Sequence, residues 1–337
     1  MAALAVRANR PRRSRRGRAL NMTAAPATAT RTMRAASVAA PGQARVDRVP
    51  VPEPAPDEVL VRIEGCGVCG SSLPTWEGRD WFSYPQEPGA PGHEAWGVIE
   101  AAGSAAGLQP GTRVAMLSSH GFAEYDVAPE AAVVPLPPEL DGRPFPGEAL
   151  GCAVNVVRRS RIEPGQRVAV VGAGFIGLAV AAIAAEAGAE VTALSRRPFA
   201  LEVAREVGCV AAFTLDEAPE ETFDCVVEAA GVQATLDLAT RLTRERGLLV
   251  VAGYHQDGAR LVDMQLWNWR GLDVVNAHER DPAVYADGIR IAADLVASGR
   301  FDPSPLLTHT FGLDRLADAF EAARTRPDGF LKALVVP

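Results

Sequence analysis

The chain has 337 residues, 48% hydrophobic and 22% charged, with a formal net charge of −7. At about 100–200 residues per domain this length allows two or three domains, and the composition excludes wholesale disorder. The acidic balance excludes a generic nucleic-acid binder, which carries a basic stripe. Five cysteines in a chain this long do not make a disulfide scaffold.

Positive charge is almost all arginine. Lys332 is the only lysine, which reads as coding bias and leaves no Schiff-base lysine in the middle of the chain. The first 34 residues hold nine arginines and no acid, so the remainder carries 25 basic against 41 acidic residues. Residues 1–32, rich in Ala, Thr and Pro and without periodicity, are expected to form a disordered tail. An arginine-rich, acid-poor leader suits a transit peptide, but the apolar stretch of a secretory signal is missing. The simpler expectation is a dispensable tail, or an upstream start codon with the working one at Met22 or Met33.

From Met33 the chain reads as short strands. Residues 50–56 mark an extended approach to an alternating strand at 59–63. Further strands fall at 92–102, 113–116 and 121–127, separated by Gly/Pro turns. A helix over 148–161 changes the pattern. Strands then alternate with helices: strands at 167–171, 190–194, 211–214, 225–228, 248–252 and 273–276, helices at 176–187, 198–207, 234–243 and 282–298. Such alternation predicts an α/β fold with a doubly wound parallel sheet. A helix at 313–324 and a strand at 331–336 follow. Residues 168–185 carry no charge and are long enough to span a membrane. Gly172, Gly174 and Gly177 interrupt them, so a strand leading into a buried helix is expected instead, in a soluble protein.

Gly172-Ala173-Gly174-Phe175-Ile176-Gly177 follows a strand and opens a helix. The glycines permit a tight turn and close approach to a pyrophosphate, which the free N–H groups of the helix start would bind. About 20 residues on, where an acid normally takes the ribose 2′-OH of NAD, stand Ser195, Arg196 and Arg197. A carboxylate would repel a 2′-phosphate, whereas serine and arginine bind it, so NADP(H) is expected over NAD(H).

Cys69, His93 and Glu148 offer a thiolate, an imidazole and a carboxylate, a set that can hold Zn²⁺ with the fourth position open. Read alone, a histidine and a cysteine are more often structural. Cys66 and Cys69 form a Cys-x-x-Cys without a thioredoxin-like context, which makes Cys66 a packed neighbour. His120, His255, His278 and His309 lack ligand-like partners; His255 and His278 follow strands of the alternating half and border its cleft by position. Trp76, Trp81, Phe82 and Tyr84 form either a pocket wall or loop packing. Trp267-Asn268-Trp269-Arg270 reads as pocket rim, subunit contact or surface.

These motifs, with Gly97 to Gly103, Pro110-Gly111, Gly121-Phe122-Ala123-Glu124-Tyr125 and Pro164-Gly165 in this order, resemble the zinc-dependent alcohol dehydrogenases of the medium-chain dehydrogenase/reductase superfamily. The similarity runs from about Met33 to Pro337. It implies a GroES-like β-rich catalytic domain over residues 33–155, completed by 300–337, and a Rossmann NADP-binding domain over 156–299. It also implies that Cys69 and His93 bind one catalytic zinc. Glu148 matches the third ligand position, with Cys152 competing for it. Glu94 matches a carboxylate beside the metal, and Ser71 the hydroxyl that relays the alcohol proton. Gly172, Gly174, Phe175, Ile176 and Gly177 would contact the cofactor.

Three departures stand out. Ser72 occupies the place of an aspartate that accepts a hydrogen bond from the zinc histidine. Pro74 occupies that of a histidine that passes the proton outward. The four-cysteine lobe for a structural zinc is missing. The expected function is reversible alcohol–carbonyl oxidoreduction on a polyol, sugar or similar secondary alcohol. A zinc-free quinone or enoyl reductase of the same superfamily and a non-catalytic NADP(H)-binding protein are the alternatives. The expected setting is a cytoplasmic homodimer or homotetramer with no nucleic-acid or membrane partner.

Overall fold

The computed structural model describes residues 31–337 other than Glu221; the tail expected over 1–32 lies outside them up to residue 30. Thr32 and Arg34 already belong to the fold. β1 (Thr32–Ala40) turns through Pro41 and Gly42 into β2 (Gln43–Pro50), an antiparallel hairpin. Arg34 donates its backbone N–H to Glu124 at 2.7 Å and pairs with Asp314.

The strand expected at 59–63 extends to β3 (Glu58–Gly67), followed by α1 (Leu73–Glu77), β4 (Glu94–Ala102), β5 (Arg113–Met116), β6 (Tyr125–Pro129), β7 (Val133–Pro135) and α2 (Gly147–Ser160). The strand expected from 121 begins only at Tyr125. Gly121 is a loop residue whose Cβ, if present, would lie 2.7 Å from Ala95 and 3.0 Å from the Cys66 sulfur.

Strict alternation follows: β8 (Arg167–Val171), α3 (Phe175–Glu186), β9 (Glu190–Leu194), α4 (Pro198–Glu206), β10 (Ala211–Phe213), β11 (Phe223–Glu228), α5 (Gln233–Leu242), β12 (Thr243–Val251), α6 (Met264–Arg270), β13 (Asp273–Asn276) and α7 (Pro282–Ala297). The six strands are parallel in the order β10-β9-β8-β11-β12-β13. The order reverses between β8 and β11, which opens a crevice at their carboxyl ends, where doubly wound sheets bind ligands.

The chain then returns through β14 (His309–Gly312), α8 (Leu316–Thr325) and β15 (Ala333–Val336). β15 pairs antiparallel with β3, Leu334 opposite Gly67, so the first sheet has seven strands. The fold is α/β, a β-rich GroES-like part beside a parallel Rossmann sheet. The apolar stretch at 168–185 is β8, a glycine turn and α3, whose Leu178, Ala179, Val180 and Ala181 are buried. Among the described residues no helix is long and apolar enough to cross a membrane.

Gly177 shows why that turn needs its glycines. A Cβ there would meet the Gly172 carbonyl oxygen at 2.1 Å, backbone against backbone. Gly177→Ala is expected to cost about 2–3 kcal/mol, the upper range for overpacking, read as a lower urea midpoint at unchanged slope.

Candidate active site and metal centre

β3 delivers the first site residues. Val68 donates to the Ala333 carbonyl at 2.9 Å, and the chain leaves the strand into a 3₁₀ turn whose N-cap is Cys69. β4 supplies His93 just before its first residue, Glu94. Gly65 and Gly67 of β3 lie opposite Trp96 and Glu94. A Cβ at Gly65 would fall 2.4 Å from the indole, and one at Gly67 1.9 Å from Glu94 Oε2. The glycines therefore make room for the side chains that build the site.

Cys69, His93 and Glu94 each present a ligand atom, all within 4.8 Å of one another; among the described residues this is the one such cluster. His93 Nδ1 lies 3.0 Å from the Pro91 carbonyl, which can only accept, so Nδ1 carries a proton and Nε2 is the nitrogen turned to the cluster, free to bind a metal once it gives up any proton of its own. That acceptor is a backbone carbonyl rather than Ser72. Ser71 Oγ lies 3.2 Å from Cys69 Sγ and 3.4 Å from His93 Nε2.

Glu148 is the second residue of α2, and Cys152, one turn on, donates its S–H to Glu148 at 3.3 Å. Both are outside the tight cluster but within electrostatic reach of it. Burial opposes charge on His93, yet the Cys69 thiolate, then Glu148 and Glu94, carry its pKa up to about 10. A pocket this negative, holding sulfur, nitrogen and oxygen donors with the histidine tautomer already set, fits a divalent zinc ion. Cys66 points the other way, into the core under the first sheet.

No sequence pattern marks Lys332. It is 4% exposed, donates to Glu94 Oε1 at 2.6 Å and lies 4.7 Å above the Phe175 ring. Burial works against its charge, but Glu94 and Cys69 hold its pKa above the ordinary value. The single lysine of an arginine-rich chain thus links the donor cluster to the glycine turn. Reading it as coding bias missed this role.

In that turn Gly172 has φ 112°, a left-handed value open to glycine. A Cβ on Gly174 would meet nothing within 4 Å, so the turn is open there for an approaching ligand. At the end of β9, Ser195 is buried and its Oγ accepts from the Arg197 N–H at 3.2 Å. The Arg197 guanidinium is committed to the carbonyls of Ala173 and Phe330. Arg196 is exposed. Arg326, which no local pattern marks, stands close enough for its charge to bear on Arg197 and to be affected by Arg196; burial and these like charges lower the pKa of Arg326 and Arg197.

A cleft beside the Cys69, His93 and Glu94 cluster is lined by Ser71, Pro74, Trp81, Phe82, Tyr254, His255 and Gln256. The two readings of the aromatic cluster divide between its members. Trp81 and Phe82 form wall, whereas Trp76 stacks on Phe320 at 5.1 Å and Tyr84 bonds to the Thr75 carbonyl. Of the remaining histidines, His120 pairs with Glu87, His309 packs on Phe330 and His278 is exposed beside Tyr254. Trp267 donates to Thr240 at 3.2 Å, whereas Trp269 is 83% exposed.

Two family models match the chain: an alcohol dehydrogenase GroES-like domain over residues 55–138 and a zinc-binding dehydrogenase over 176–294. The sorbitol dehydrogenase of Gallus gallus is 30% identical over 338 residues, covering 84% of this chain and 91% of that protein. The chain belongs to the zinc-dependent alcohol dehydrogenase family of the medium-chain dehydrogenase/reductase superfamily. Among solved members, a protein of Sinorhizobium meliloti described as a zinc-binding dehydrogenase and bound to NADP superposes with a TM-score of 0.79 at 28% identity, covering 91% of this chain and all of that one. The thermostable alcohol dehydrogenase of Pyrobaculum aerophilum, solved with cobalt and zinc, gives 0.79 at 27% over the same shares. As a member of this alcohol dehydrogenase family the chain is an oxidoreductase acting on CH–OH groups with zinc and a nicotinamide cofactor.

Proposed function

We propose that the protein interconverts a polyol, sugar or similar secondary alcohol and its carbonyl with NADP(H), around one catalytic zinc and no structural one. The observation that carries this reading is the convergence of Cys69, His93 and Glu94 within 4.8 Å beside a cleft that also holds Ser71. Cys69 and His93 are the fixed ligands. Glu148 is the third in our reading, with Glu94 the neighbouring carboxylate able to enter or leave and Cys152 hydrogen-bonded behind Glu148.

Zinc held by these side chains would supply a Lewis acid for the alcohol oxygen, and a nicotinamide in the crevice would supply the hydride acceptor for the carbinol carbon. Ser71, on the cleft wall and 3.4 Å from His93 Nε2, would relay the alcohol proton, accepting it on Oγ as its own hydroxyl proton passes to solvent in the cleft. Lys332 holds Glu94 by charge. Gly172, Gly174, Phe175, Ile176 and Gly177 would seat the pyrophosphate, and Ser195, Arg196 and Arg197, with Arg326 beside them, would take the 2′-phosphate, Arg197 from a guanidinium already braced on the Ala173 and Phe330 carbonyls.

We assign residues 33–155 with 300–337 to the catalytic domain and 156–299 to the cofactor domain. Self-association as a homodimer or homotetramer is supported by the open edge strand β13 and by exposed Leu261, Met264 and Trp269 nearby. A cytoplasmic setting completes the proposal.

Elemental analysis under zinc-replete expression should find a single zinc per chain, and a panel of polyols, sugars and apolar alcohols followed at the nicotinamide absorbance should show turnover. Absence of metal would reject the reading. NADPH is expected to bind at least about tenfold tighter than NADH, a difference of 1.4 kcal/mol. Ser195→Asp with Arg196→Ser should reverse that order in a titration, and equal binding by the unmutated protein would overturn the cofactor preference.

A further inference from the structure

Glu228 ends β11 at the crevice, with 0% exposure, and the chemistry above does not use it. Its Oε1 accepts from the N–H groups of Ala230 and Gly231 at 2.9 and 2.8 Å and from Thr235 Oγ1 at 2.7 Å. Its Oε2 lies 2.9 Å from His255 Nε2, and the other ring nitrogen, Nδ1, accepts from Arg260 Nε at 2.9 Å. A carboxylate accepts and a guanidinium donates, so the ring is fixed as the Nε2–H tautomer with both nitrogens engaged. Arg260 also donates to the Gly231 carbonyl at 2.9 Å and pairs with Asp257.

This chain of bonds holds one loop. Residues 252 and 253 donate their N–H groups to the Glu228 carbonyl, each at 2.8 Å. Gly253 lies so close that a Cβ would sit 2.5 Å from Glu228 Oε2. At the far end the Gln233 amide exchanges two hydrogen bonds with the Leu261 backbone, at 2.8 and 2.9 Å. Between these anchors Tyr254, His255 and Gln256 line the cleft opposite Ser71 and the aromatic pair Trp81 and Phe82. The Gln256 side-chain amide makes no hydrogen bond among the described residues and lines the cleft.

We propose that His255 is a positioning residue, braced between Glu228 and Arg260 to hold this loop across the cleft from Ser71, and that Gln256 reads the hydroxyls of a cyclic polyol whose apolar face rests on Trp81 and Phe82. The proposal rests on the alcohol dehydrogenase reading and narrows its substrate to a ring with one polar and one apolar side. Aromatic faces accept the C–H side of such a ring, and an amide offers both a donor and an acceptor to adjacent hydroxyls.

The test compares Gln256→Leu, His255→Leu and His255→Gln in the zinc-loaded, full-length protein. The readouts are kcat and KM for a cyclic polyol and for an apolar secondary alcohol such as cyclohexanol, zinc content, NADPH affinity and limited proteolysis of the loop. Gln256→Leu should lower kcat/KM for the polyol by about 10–100-fold relative to cyclohexanol, mostly through KM, with zinc and NADPH binding unchanged. His255→Leu should speed cleavage within residues 254–260 and lower kcat/KM for both alcohols by at least about tenfold, and His255→Gln, which can still meet one partner, should recover part of both effects. An unmoved polyol preference in Gln256→Leu, or equal behaviour of the two His255 variants, would overturn the proposal alone. A wild type that turns over no alcohol at all would overturn the functional reading and the substrate assignment with it.

Discussion

His93→Ala is expected to yield protein without stoichiometric zinc and with kcat/KM for alcohol oxidation reduced by at least about 10³-fold. The site draws on three donors within 4.8 Å, and removing one leaves a thiolate and a carboxylate facing each other with no neutral ligand between them. Lewis-acid stabilisation of several kcal/mol is then lost, at 1.36 kcal/mol per decade of rate. Ser71→Ala separates metal binding from proton transfer. It should keep the zinc and lose about 10²–10⁴-fold in rate, the ordinary worth of a positioned proton carrier. Elemental analysis and steady-state kinetics on the two variants decide the matter. Full zinc occupancy in His93→Ala would remove the histidine from the ligand set.

Lys332→Leu is expected to destabilise the fold by about 3–5 kcal/mol, because it leaves the Glu94 carboxylate, 0% exposed, without its 2.6 Å partner. The pair is buried on both sides, so solvent cannot take over the lost charge. Two further comparisons isolate the cause. Adding Glu94→Gln should restore a large part of the loss, since it removes the stranded charge. Zinc should narrow the gap between Lys332→Leu and wild type, since a second cation then faces the same carboxylate. Chemical denaturation of the three proteins with and without chelator measures both. A Lys332→Leu midpoint within about 0.5 kcal/mol of wild type would show that the pair contributes nothing.

The Rossmann half was legible almost residue by residue. Strands at 167–171 and 190–194 appear with those limits, because a buried parallel strand is a largely apolar run closed by turn residues on each side. The hairpin of β1 and β2 was much less visible. Its Arg34, Arg45 and Arg48 continue the composition of the leader, and only pairing with a distant partner distinguishes them from it. Cys69 and His93 were found through their glycine-rich surroundings, and Gly65, Gly67 and Gly92 are there because neighbouring side chains or backbone fill the Cβ space. Lys332, Arg326 and the Glu228–His255–Arg260 chain were invisible for one reason. Each acts across many intervening residues, and a contact between remote segments leaves no periodicity in either of them.

The Glu94 and Lys332 side chains that meet inside the site are 238 positions apart. A ribosome has therefore made the thiol and imidazole, and the whole nucleotide-binding sheet, long before β15 exists to pair with β3. Until that strand arrives, the nascent first sheet lacks an edge and its acidic pocket lacks a counter-charge. Closure of such a long loop is a late and slow event in folding. An immature chain that meets a divalent ion early would hold it in a half-built, water-exposed cup, so metal loading and completion of the polypeptide are coupled by topology alone.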